Sequence, residues 1–129
     1  MSGVTTHVLD AVLGKPAAGI SVHLQMLEGG GWMEVSTNGD PPNRAQDAPG
    51  AWATVSFGIT DADGRCSDLA KNAAAGRYRL TFKTGAYLAQ RGRASIYPEI
   101  SITFDCDGEA HYHLPLLLSD NSYTTYRGS

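Results

Sequence analysis

Histidine and arginine side chains beside hydroxyl-bearing residues are the groups of this 129-residue chain whose types and spacing suit chemistry. His111-Tyr-His113 sets two imidazoles at i and i+2. On a strand they point the same way and suit either a proton relay or metal ligation. No carboxylate or cysteine stands at a matching spacing, so metal is the weaker option, and a zinc site would have to be built from His7, His111 and His113. His7 falls in a β-rich opening stretch, where a lone histidine is more often structural than catalytic. Asp61-Ala-Asp-Gly-Arg65 resembles a calcium loop only superficially, because the third acidic position and the closing glutamate are missing. Taken alone it reads as a hairpin turn with a solvated arginine. Tyr126-Arg-Gly-Ser129 ends the chain, and a terminus of this kind usually frays. The whole stretch from His111 to the end, with Leu116-Leu-Leu118 and three tyrosines, is too rich for that and reads as packed against something. Neither a Gly-x-Ser-x-Gly elbow nor a phosphate-binding loop competes with these features.

These groups sit in a chain of ordinary globular composition, 42% hydrophobic and 18% charged, long enough for one domain with a real core. The net charge of −3 and the scattering of the ten basic residues argue against a nucleic-acid footprint. No apolar run is long enough to span a membrane. The opening Met1-Ser-Gly-Val-Thr-Thr-His lacks a leader's basic and apolar regions, so a cytoplasmic protein is expected. In that compartment Cys66 and Cys106 are expected to be free, small buried groups rather than a disulfide.

The elements that must position the chemistry are strands. Residues 5–13 alternate, with His7, Leu9, Ala11 and Leu13 on one face, and stop at Gly14-Lys-Pro16. Residues 20–27 alternate as a half-buried strand, with His23 on the polar side as an ordinary surface histidine. Residues 28–50, opened by glycines and closed by turn formers, read as a long loop, with a short strand or hairpin at 32–37. Strand character returns over 51–60, and Asp63-Gly64 signals a tight turn. The small, polar stretch 67–75 reads as loop or a weak helical turn. Residues 76–83 form a strand, 84–91 a short helix with Thr84 as N-cap and Gly92 as stop, and 99–105 another strand. In the closing segment Tyr112, Leu114, Leu116 and Leu118 suit a core. The opposite face, His111, His113, Pro115 and Leu117, is too apolar for water and implies contact with another subunit. The architecture is all-β, an antiparallel sandwich with at most one short helix.

Several motifs together resemble one family. Thr5-Thr-His-Val-Leu-Asp10 with Gly14-Lys-Pro-Ala17, Thr60-Asp-Ala-Asp-Gly-Arg65, Tyr97-Pro-Glu-Ile100 and His111-Tyr-His-Leu-Pro-Leu-Leu-Leu118 are similar to those of the transthyretin-related proteins. The closing Tyr126-Arg-Gly-Ser129 marks their enzymatic branch, the 5-hydroxyisourate hydrolases. The resemblance covers nearly the whole chain outside about 28–50. It implies a transthyretin-like sandwich of two four-stranded sheets with a short helix, and a homotetramer, a dimer of dimers, with active sites in a central channel. Trp52 takes the family's usual tryptophan position, which makes a single domain over 1–129 with a loop insertion at about 29–50. Ser119-Asp-Asn121 also departs from the family pattern, at a turn without a catalytic position.

The resemblance implies a cyclic amide hydrolase of urate breakdown that opens 5-hydroxyisourate at N1–C6 to 2-oxo-4-hydroxy-4-carboxy-5-ureidoimidazoline, with no cofactor and no bound metal. The catalytic residues carried over are His7, Arg65, His113 and Ser129, and Tyr126, Arg127 and Gly128 bind substrate. His111 shares a face with His113 and is expected to support it or to lie in the interface. The two histidines suit acid–base work near neutral pH, and the arginines offer planar donors to the carbonyl and ring. The alternative is a non-catalytic small-molecule carrier of the same fold. Such a carrier is expected to hold small or apolar residues at positions 7, 65 and 113.

Overall fold

The computed structural model describes residues 2–29 and 50–128. The stretch 30–49, which contains the expected strand or hairpin at 32–37, lies outside the described residues, as does Ser129. Two sheets face each other. In the first, β1 (Ser2–Asp10) is central. One edge of β1 pairs in parallel with β8 (Tyr112–Leu118), which in turn carries β9 (Tyr123–Thr125). The other edge of β1 pairs antiparallel with β5 (Arg65–Ala73) and with the two-residue β2 (Lys15–Pro16). The second sheet runs in the order β4 (Ala51–Ile59), β3 (Ser21–Glu28), β6 (Gly76–Phe82), β7 (Ile100–Cys106), all antiparallel. The first sheet therefore has five strands where four were expected, because the Gly14-Lys-Pro16 turn folds back far enough to pair Leu9 with Pro16.

The alternating strands bury what their pattern requires. Val4 and Val8 of β1, Val22 and Leu24 of β3, Leu80 and Phe82 of β6, and Leu116 and Leu118 of β8 fill the space between the sheets. Cys66 and Cys106 are free and buried, as expected. Burial of the Cys66 thiol pushes its pKa up, which keeps it protonated and inert. Thr6, though polar, also points inward and donates its hydroxyl to the Leu114 carbonyl, 2.6 Å away, which ties β1 to β8 from the inside. The β1–β8 pair is the exception to the expected antiparallel sandwich. Its parallel register sets Thr5 opposite His113 and His7 opposite Pro115.

Three further expectations need correction. The stretch 67–75 belongs largely to a strand, β5. The register against β1 slips twice, so its buried residues Cys66, Leu69 and Ala73 fall at helix-like rather than two-residue spacing. The helix α1 spans Thr84–Ala89, and Thr84 is inside it as a buried residue, with Lys83 at the N-cap and no side-chain cap. Gly92 ends the turn as expected, with φ of 68°. His23 lies on the outer face but is not simply solvated. Its ring stacks on Phe57 at 4.1 Å between centroids, and Nε2 lies 2.9 Å from Thr54 Oγ1.

The end of β1 is fixed by a buried carboxylate. Asp10 is fully buried and accepts from the amides of Val12 and Leu13, from Tyr87 Oη of α1 at 2.9 Å, and from the Arg93 guanidinium. Arg93 also reaches Asp120 in the β8–β9 turn at 2.6 Å. Burial alone would raise the Asp10 carboxyl, but the Arg93 guanidinium, the Leu13 amide and the Tyr87 hydroxyl outweigh it and hold it below the usual carboxylate range. Helix, β1 and the turn before β9 are thereby joined at one point.

Candidate active site

The outward residues of β1 build the site. Alternation turns Thr5 and His7 to the outer face of the first sheet, and the neighbouring strands bring groups to either side. Across the antiparallel edge, His7 pairs with Arg65 at the start of β5. Arg65 is delivered there by the turn expected from Asp63-Gly64. Asp61 Oδ1 accepts from the amides of Asp63 (2.9 Å) and Arg65 (3.0 Å), so its carboxylate shapes the turn. Gly64 has φ of 76° and lies so close to β1 that a Cβ would come 2.3 Å from the Val8 carbonyl oxygen. Only glycine meets both demands. His7 Nε2 donates to the Asp63 carbonyl at 2.8 Å, which ties the imidazole to the same turn and fixes its tautomer.

Across the parallel edge stand His111 and His113. His113 Nδ1 lies 2.8 Å from Thr5 Oγ1, and His111 Nε2 lies 3.3 Å from the same oxygen. Thr5, Thr6, Arg65, Ser67, His111 and His113 line a cavity of about 310 Å³, the size of a small-molecule site. Half-burial of His113 disfavours its charged form, and the Arg65 guanidinium, with the His7 and His111 imidazoles near it, adds to this, so its pKa lies below the usual 6.5. At neutral pH the ring is therefore an uncharged base beside a permanent cation. Among the described residues, no three histidine, cysteine, aspartate or glutamate side chains are placed to hold a metal ion. The rings of His111 and His113 converge instead on a hydroxyl.

The tail reaches the site by its backbone. Gly128 N–H donates to the His113 carbonyl at 2.7 Å, and a Cβ at position 128 would lie 2.7 Å from His113 Cδ2. The glycine thus lets the terminus press on the catalytic candidate. Tyr126 and Arg127 do not line the cavity. Tyr126 is exposed, and the Arg127 guanidinium lies 4.3 Å above the Tyr112 ring, near the Asp107 carboxylate. Three cavity residues, Thr5, Thr6 and Ser67, were not singled out in the sequence. For Thr5 and Ser67 the signal was present: each stands two residues from a candidate, His7 or Arg65, on the same strand.

A family model described as the HIUase/Transthyretin family matches residues 4–128. The 5-hydroxyisourate hydrolase of Salmonella typhimurium is 38% identical over 129 residues, spanning 98% of this chain and 80% of that protein. The structure of Klebsiella pneumoniae 5-hydroxyisourate hydrolase is similar with a TM-score of 0.76 at 35% identity, over 100% of both chains. Transthyretin from Sparus aurata is similar with a TM-score of 0.78 at 29% identity, over 98% of this chain and 96% of that one. Matched over nearly its whole length by sequence and by fold, the chain belongs to the HIUase/Transthyretin family.

Proposed function

We propose that the chain hydrolyses 5-hydroxyisourate, opening the cyclic amide at N1–C6 in the breakdown of urate. One observation carries this reading: a neutral, half-buried His113 faces Arg65 across a cavity of about 310 Å³. Amide hydrolysis needs a base for water, a cation for the charge that develops on the carbonyl oxygen, and a proton for the leaving nitrogen. His113 accepts the proton of the attacking water and later returns it to N1 as the C6–N1 bond breaks. Arg65 stands beside it as a fixed positive donor for the oxyanion. His7, bound to the Asp63 carbonyl through Nε2, offers Nδ1 as an acceptor to the substrate or to water. The Gly128 backbone, bonded to the His113 carbonyl, closes the site on the His113 side.

The same reading includes a homotetramer, a dimer of dimers whose central channel is walled by the outer face of the first sheet. Leu9, Pro115 and Leu117 on that face support it, since they are apolar where a solvated sheet carries polar residues. The carrier fold of Sparus aurata transthyretin is equally close in shape, but an imidazole–guanidinium cavity suits a polar, electron-rich ring undergoing proton transfer better than an apolar guest. The test follows the ultraviolet decay of freshly generated 5-hydroxyisourate with and without protein. Acceleration that disappears in His113→Gln and Arg65→Gln supports the reading, and decay at the spontaneous rate refutes it. Light scattering of the eluting species decides the tetramer.

A further inference from the structure

Thr5 Oγ1 lies between two imidazoles, 2.8 Å from His113 Nδ1 and 3.3 Å from His111 Nε2. The placement is built rather than incidental. The parallel register of β1 and β8 sets Thr5 opposite His113. Each ring is seated by a glycine: a Cβ on Gly3 would come 2.6 Å from His111 Nδ1, as one on Gly128 would meet His113 Cδ2. A hydroxyl carries one proton, so it donates to one ring only and accepts from the other. If it donated to His113 Nδ1, the neutral ring would carry its hydrogen on Nε2 and no nitrogen would remain to act as base.

We propose that Thr5 is a positioning residue that couples the two histidines, accepting from His113 Nδ1–H and donating to His111 Nε2, so that His113 Nε2 stays the basic nitrogen and the proton it gains can be relayed to His111. This rests on the hydrolase reading. The balance is as follows. His113 Nε2 takes a proton from the attacking water, the Nδ1 proton passes to Thr5 Oγ1, and the Thr5 hydroxyl proton passes to His111 Nε2. His113 is then neutral and His111 carries the charge. When the C6–N1 bond breaks, Nε2–H goes to the leaving nitrogen, Thr5 returns a proton to Nδ1, and His111 returns one to Thr5. No proton is gained or lost over the cycle. The physical gain is where the charge rests. His113 is half-buried with the Arg65 guanidinium of β5 beside it, which is unfavourable to a second cation, and the His7 imidazole of β1 also faces it, whereas His111 at the head of β8 is exposed to water.

The test compares Thr5→Val, which keeps the shape and removes the hydroxyl, with Thr5→Ser, which keeps the hydroxyl. Imidazole nitrogen-15 spectra should show the Nδ1–H tautomer of His113 in the wild type and in Thr5→Ser, and a shift toward Nε2–H in Thr5→Val. In the hydrolase assay Thr5→Val should lower kcat about tenfold or more, a share of what acid–base catalysis supplies. Its acid limb should move to lower pH, because protonating His111 no longer blocks His113, while Thr5→Ser stays near wild type. Since both act on one path, His111→Phe added to Thr5→Val should cost little further. An unchanged tautomer and pH profile in Thr5→Val, or full additivity of the two substitutions, overturns the coupling. Decay of 5-hydroxyisourate at the spontaneous rate with wild-type protein overturns the hydrolase reading instead, and the spectra alone then decide whether the hydroxyl bridges the rings.

Discussion

Gly128→Ala isolates the contribution of the tail to catalysis. Gly128 has no positive φ, so alanine suits its backbone and the only new feature is the methyl group. That methyl would come 2.7 Å from His113 Cδ2 and 3.4 Å from Cγ. Ordinary carbon–carbon contact lies at about 3.5–4.0 Å, so one partner must yield by about 1 Å. If the tail yields, the Gly128 N–H to His113 C=O bond is lost, which costs about 0.5–1.5 kcal/mol. If the ring yields, its contact with Thr5 opens. Misplacement of a catalytic group by about 1 Å lowers rates on the order of a hundredfold, or about 2.7 kcal/mol in the barrier. The expected result is a kcat/KM on freshly generated 5-hydroxyisourate reduced about a hundredfold. The melting temperature should fall by no more than about 5 °C, since the contact lies at the edge of the sheet. Full activity in Gly128→Ala, with the crystal structure showing the tail still paired to His113, would refute the claim that the terminus sets the histidine's position.

Removing Arg127–Ser129 should abolish hydrolysis while far-ultraviolet circular dichroism and melting stay close to wild type, because the core face of β8 does not depend on those residues. Asp10→Ala leaves the Arg93 guanidinium in a site built around a carboxylate and should cost about 3–5 kcal/mol in urea unfolding. Because the folded Asp10 carboxyl lies below its unfolded value of 3.8, its contribution is complete above that pH and is lost as pH falls through the folded value. Asp10→Asn should therefore flatten that acid limb of the stability curve. Joining Gly29 directly to Gly50 leaves a two-residue Gly-Gly hairpin between Glu28 and Ala51, which already pair. With Gly29 at φ of 81°, the turn chemistry is met, and the shortened chain should fold with unchanged secondary structure and a melting temperature within a few degrees, read by circular dichroism.

How legible each part was follows from how local its cause is. Strands β1, β3, β6 and β8 were readable because one face of each is buried and side chains alternate with a period of two. The turn at Asp61–Arg65 was readable because Asp-Gly demands a particular backbone. Strand β5 was not, since its bulges replace alternation by the spacing of Cys66, Leu69 and Ala73. The three-residue edge strand β9 owes its existence to pairing with β8 rather than to any pattern of its own. Thr84 was expected to cap the helix from outside but is inside it, with its side chain buried, so burial outweighs capping preference.

For the site, residue types and family motifs in the chain were enough to put forward His7, Arg65, His111, His113 and the tail as candidates. They also pointed to proton transfer beside fixed positive charge. What only the tertiary structure decided is which of these groups meet. His113 stands opposite Thr5 because β1 and β8 run parallel in one register, a pairing between strands more than a hundred residues apart. Its neutral state comes from burial and from Arg65 arriving on the opposite edge of β1. Arg127 lies over Tyr112 and not in the cavity, because the aromatic face and the Asp107 carboxylate attract it there. Composition and motif supply the groups, but hydrogen-bond partners and local polarity depend on three-dimensional neighbours, which only the folded sheet provides.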